Sequence, residues 1–220
     1  MPTVLEGHPD AASVVLYWLP LGDGGRSVRW NGRAFEVLAA RHAHRAVRDL
    51  YHSALEVHLG PDRFVIEMTP AWGGHGADRG VVAQGPVGSS RLEGFALFRY
   101  EVRRWHNGVI TDVAEAVASP VRVGADATLA RRLLELVPSV PVPTWGRDEM
   151  HTGDMWNSNS LTAWLLARSG HDMDAVQPPA HGRAPGWHAG LVAAARQRGS
   201  DGQIEDPARN AAARVSGQRP

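Results

Sequence analysis

Apolar and polar positions alternate most clearly in the first half of the chain. Residues 13–19, SVVLYWL, form a β-rich run that Pro20 and the following GDGG close. A short strand is expected at 27–30, with Asn31-Gly32 as its turn. Residues 35–50 change period: Phe35, Leu38, Ala39, His42 and Val47 fall on one side of a helix and the arginines on the other. Two strand-like runs follow, 51–59 and 63–69, joined by Gly60-Pro61-Asp62 as in a hairpin. The Gly-rich stretch 70–90 predicts a long loop, and loops of that length are commonly functional. Residues 95–106 alternate again, Asn107-Gly108 turns the chain, and 109–123 predicts one more strand.

The second half is helical. Ala127, Leu129, Leu133 and Leu136 give 126–137 one apolar stripe, which the prolines of 138–143 end. A polar loop, 145–154, leads to a second helix that runs to about Arg168 and stops at Gly170. After a loop at 178–185 a short helix is expected over 187–196. Strands in the middle with helices on either side predict an α+β fold rather than alternating βαβ units. The organisation expected is a loose lead-in at 1–12, one domain at 13–197 and a disordered polar tail at 198–220.

Composition narrows the chemistry by what it lacks. The 220 residues contain no cysteine, which removes disulfides, thiolate metal sites and a cysteine nucleophile. They contain no lysine either, which removes Schiff-base chemistry and a P-loop. Basic and acidic residues balance at 23 each, so bulk charge argues for neither nucleic acid nor an anionic membrane as partner. The first residues are acidic where a signal peptide is basic, and no apolar run spans a bilayer, so a cytoplasmic location is expected. Histidines and carboxylates between 151 and 188 show no ligand spacing, so no metal and no cofactor are expected.

The stretch Asn157-Ser158-Asn159-Ser160 opens the second helix. Serine and asparagine at a helix start satisfy unpaired N–H groups. The same N–H groups and the helix dipole stabilise negative charge beside a nucleophile. A serine nucleophile needs a base, and His52 is the candidate, on the polar face of its strand with Ala54, Glu56 and His58. Glu67 is charged within an apolar strand and needs a partner, either His52 or an arginine, with Glu56 the alternative orienting group. Trp72, Trp145 and Trp156 lie in or beside loops, as core anchors or as an aromatic wall, and Arg147 suits a substrate carboxylate.

Two segments, LYHSALEV at 50–57 and NSNSL at 157–161, resemble motifs of the permuted papain-like proteins. That group includes NlpC-type amidases, PPPDE isopeptidases and lecithin retinol acyltransferase-like proteins. The resemblance implies an antiparallel sheet packed against a helix that carries the nucleophile at its N-terminus. It sets His52 at the family histidine and Ser158 at the family cysteine, with Asn157 and Asn159 as flanking residues and Leu161 after them. Serine in place of cysteine implies a serine-dependent hydrolase or acyltransferase acting on an amide or ester, with Ser158, His52 and Glu67 as its catalytic group. The alternatives are a degenerate protein that binds a peptide or small ligand, a His52-based epimerase or cyclase using the same pocket, or an engineered change of cysteine to serine.

Overall fold

The computed structural model describes residues 11–21, 48–71, 80–88 and 98–204. Its strands are β1 (Ala12–Pro20), β2 (Asp49–Leu59), β3 (Asp62–Pro70), β4 (Val81–Pro86), β5 (Arg99–His106), β6 (Val121–Gly124) and β7 (Gly182–Arg183). Its helices are α1 (Ala127–Leu136), α2 (Ser158–Ser169) and α3 (Trp187–Ile204). The main sheet runs in the order β4-β5-β3-β2-β1-β6 with antiparallel neighbours, and β7 lies parallel to the beginning of β2. The fold is therefore α+β around an antiparallel sheet.

Alternation along the strands separates two faces. Val14, Leu16 and Trp18 of β1 share the inner face with Leu55 and Val57 of β2, Ile66 and Met68 of β3, and Tyr100 and Val102 of β5. This face meets Leu133 of α1, Leu161, Trp164 and Leu165 of α2, and Ala193 and Ala194 of α3 in one core. The outer face carries a smaller cluster of Leu19, Ala54, Val65 and Ile110.

Helix α2 is sandwiched between sheet and α3, and every residue of it except Arg168 is buried. That explains its lack of a polar stripe, since a helix covered on all sides has no face to give to water. It ends at Gly170, whose φ of 98° is the left-handed conformation that closes a helix, with its N–H on the Leu166 and Ala167 carbonyls. Helix α3 approaches so closely that a Cβ on Gly190 would lie 2.2 Å from the Ser160 carbonyl oxygen.

Three expectations change. The stretch 70–90 is not all loop, because 81–86 form β4 along the edge of β5. The strand expected over 109–123 is confined to 121–124, and the chain before it makes a 3-10 turn at Val113–Glu115. Only Val14 to Leu16 of β1 offer that edge a partner, and Val109, Val113 and Val117 stay exposed. Helix α3 continues to Ile204, past the expected stops at 196 and 197. Its polar residues dock it: Gln197 accepts from the Trp164 indole N–H at 2.8 Å, and Arg198 donates to the Ala167 carbonyl at 2.7 Å. The strand expected at 27–30, most of the helix expected at 35–50 and Trp72 lie outside the described residues, although Asp49 and Leu50 open β2.

Candidate functional site

The polar turn before α2 is a capping box. The Asn157 side-chain oxygen accepts from the N–H groups of Asn159 and Ser160, at 2.9 and 3.3 Å. The Ser160 hydroxyl accepts from the Asn157 N–H at 3.1 Å. That hydroxyl has two carbonyls in reach for its own proton, Gly186 at 2.7 Å and Met155 at 3.0 Å. The Asn157 amide donates to the Pro185 carbonyl at 2.8 Å. Asn159 donates to the same carbonyl at 2.8 Å and to the Tyr51 carbonyl at 2.9 Å. Asn157, Asn159 and Ser160 thus fasten the helix start to β2 and to the 185–186 turn.

Ser158 is the exception. Among the described residues neither its hydroxyl nor its N–H is in a hydrogen bond, and it is 4 % exposed. It is the first residue of α2, at the positive end of the helix dipole. An unengaged hydroxyl and an unengaged N–H therefore stand together on one residue.

The helix start meets β2 where the sheet opens. The β2–β3 ladder runs from Leu59↔Asp62 to Leu55↔Ile66, and β3 then continues alongside β5 alone. The Tyr51 carbonyl on that opened side of β2 is taken by Asn159. His52 is the next residue. It pairs with Leu19, and its side chain leaves β2 on the outer face, whereas Ser53 opposite Trp18 points inward under α2. The bond joins the chain neighbours of Ser158 and His52, while the His52 side chain leaves on the other face, and no hydrogen bond joins His52 to Ser158 among the described residues.

Burial pulls the His52 imidazole below its ordinary pKa, against a smaller opposing pull from the Asp112 carboxylate. Burial thus favours the neutral ring over the imidazolium. Asp112 is the carboxylate whose charge His52 feels. Glu67 shares the outer face with His52, but its carboxylate lies 3.3 Å from the guanidinium of buried Arg103, which also holds Glu101 at 2.8 Å. That is the Arg–Glu pairing which a charge within an apolar strand demands. Glu56 is held below its usual range: burial pushes it up, and hydrogen bonds from Arg63 and His58 outweigh the burial.

Of the two readings of the tryptophans, Trp156 and Trp145 take part in the packing. Trp156 is 2 % exposed within the core, and half-buried Trp145 stands edge-on to Tyr100 at 5.7 Å. Arg147 donates to the Gly88 carbonyl at 2.9 Å and fixes a loop contact. Sequence reasoning missed the clamp at Pro185-Gly186. A Pro-Gly pair just before a helix was the available signal, and Gly186 has a φ of +88° with its N–H on the Asp154 carboxylate at 2.8 Å. Among the described residues no group of three or more metal-ligating side chains is assembled, and no helix is long and apolar enough to cross a membrane. Comparison with family models, curated proteins and solved structures returns no match for this chain.

Burial also lowers the pKa of His171, whose Nδ1 is 2.8 Å from the Ser169 hydroxyl. A histidine lowered by folding takes its proton later than in the unfolded chain. Its stabilisation is complete above the ordinary value of 6.5 and is lost as pH falls through the lower folded value. The urea midpoint is therefore expected to drop between pH 7.5 and pH 5. A His52→Gln/His171→Gln variant is expected to flatten that drop, and an equally steep drop in the variant would refute this assignment.

Proposed function

We propose that the chain is a serine-dependent hydrolase or acyltransferase of permuted papain-like arrangement, with Ser158 as nucleophile and His52 as base. The observation that carries this is the 2.9 Å hydrogen bond from Asn159 to the Tyr51 carbonyl. It docks the residue after Ser158 on the residue before His52, at the point where no β3 partner covers β2. In the reaction, the Ser158 oxygen attacks the carbonyl carbon of an amide or ester and passes its proton to His52. The Ser158 N–H supports the oxyanion, a contribution of about 3 kcal/mol per donor in other enzymes. His52 returns the proton to the departing amine or alcohol, and water or a second acceptor releases the acyl group. Asp112, rather than the Arg103-bound Glu67, is the carboxylate suited to stabilise the imidazolium.

A second reading has its own observation. His52 leaves β2 on the face opposite α2 and makes no hydrogen bond to Ser158 among the described residues, as in a binding protein that has lost the reaction. Catalytic hydrogen bonds often tighten only with substrate bound, so the contact's absence does not by itself remove the enzyme. A fluorophosphonate probe separates the two. Labelling of the wild-type protein is expected, with loss in both Ser158→Ala and His52→Ala variants that keep their circular dichroism. A folded wild-type protein that stays unlabelled refutes the nucleophile and leaves the binding protein.

A further inference from the structure

We propose that the layer between the first turn of α2 and the β1–β2 ladder is a binding site for a primary carboxamide, the terminal group of an Asn- or Gln-like side chain or of an amidated chain end. Three buried polar atoms, on residues that the strand register and the Asn159–Tyr51 bond make neighbours, lack a hydrogen-bond partner among the described residues: Trp18 Nε1, Ser53 Oγ and Asn159 Oδ1. Their residues are 1 %, 2 % and 1 % exposed. Trp18 and Ser53 stand directly opposite each other on the inner face. Asn159 reaches the same strand two residues away, at Tyr51. Both partners of Asn159 Nδ2 are carbonyls, which fixes the orientation of its amide and leaves Oδ1 as the unused acceptor.

An orphaned buried polar group costs about 1–3 kcal/mol, so three in one layer call for a partner that serves all of them. The set comprises one N–H donor, one hydroxyl and one carbonyl acceptor. A carboxamide is complementary: its oxygen accepts from the Trp18 indole and the Ser53 hydroxyl, and its NH2 donates to Asn159. An ester has no N–H for Asn159. A carboxylate would be buried where Asn157 already takes the N–H groups of residues 159 and 160, without the compensation a buried charge needs. An ammonium finds Asp154 already accepting from Met155 and Gly186. Half-buried Trp187 packs against Trp18 with ring centres 5.1 Å apart and ring planes tilted by 48°.

The site stands with or without the Ser158 reaction, and its test uses the full-length Ser158→Ala protein so that nothing turns over. Titration calorimetry would compare acetyl-glutaminyl-methylamide with its glutamyl and methionyl counterparts, which differ only in the terminal group. The glutaminyl probe is expected to bind at least about ten-fold tighter than either. Adding Trp18→Phe, which removes the N–H and keeps the ring, or Ser53→Ala, should reduce the preference to within about two-fold. Equal binding of the three probes, no binding of any, or a preference that survives both substitutions overturns the site. Amide preference without fluorophosphonate labelling of the wild type would refute only the nucleophile, and labelling without preference would refute only this site.

Discussion

Asn159→Asp is expected to destabilise the protein by about 3–5 kcal/mol, the range for a buried charge left without a partner. The Asn159 amide nitrogen donates to the carbonyls of Tyr51 and Pro185. Aspartate has nearly the same shape and would set a carboxylate oxygen against two carbonyl oxygens in a buried position. Relief would require protonation of the aspartate or withdrawal of the helix start from β2. Asn159→Ala is the milder change, because Pro185 keeps the hydrogen bond from Asn157 and only the Tyr51 carbonyl is orphaned, at about 1–3 kcal/mol. Urea denaturation of the three proteins at pH 7.5 gives the comparison. An aspartate variant within 1 kcal/mol of wild type, roughly one hydrogen bond's worth, would mean that this docking does not hold α2 to the sheet.

Gly190→Ala should destabilise by about 1–3 kcal/mol, although alanine is the better helix former by about 1 kcal/mol. The added Cβ would lie 2.2 Å from the Ser160 carbonyl oxygen and 2.9 Å from the Ala163 Cβ. The carbonyl belongs to the helix backbone and cannot rotate away as a side-chain tip would. Steric overlap therefore outweighs propensity, and α3 must move off α2. Gly199 of the same helix is the control, since nothing lies within 4 Å of a Cβ there. Gly199→Ala is expected to be neutral or stabilising by up to about 1 kcal/mol. Thermal unfolding of both variants reads the contrast, and two equal shifts would refute the steric account.

The sequence made some elements legible through strictly local rules. The β-rich apolar run SVVLYWL and the Gly60-Pro61-Asp62 connection identify β1 and the β2–β3 hairpin. The polar turn at 157–160 and the Gly170 stop bracket α2 to within a residue of what is found, although the cap itself is Asn157 rather than a serine. Strand β4 was hidden because VVAQ sits in a glycine-rich neighbourhood and owes its conformation to the edge of β5. Parity grouped His52 with Ala54, Glu56 and His58, and the strand keeps that grouping. Parity does not say which face the helices cover. That depended on the apolar strength of Leu55 and Val57, and it turned His52 away from α2. The roles of Trp18, Ser53 and the Pro185-Gly186 turn depend on contacts between distant segments, which no local pattern encodes.

The Asn159–Tyr51 link spans 108 positions of chain. Closing a loop of that length costs about 4 kcal/mol of chain entropy, before any constant term. One hydrogen bond contributes about 1 kcal/mol net. The link therefore does not form by its own strength. It closes with the docking of α2 and α3 on the sheet, and the junction that carries Ser158 belongs to the cooperative unit of the whole fold.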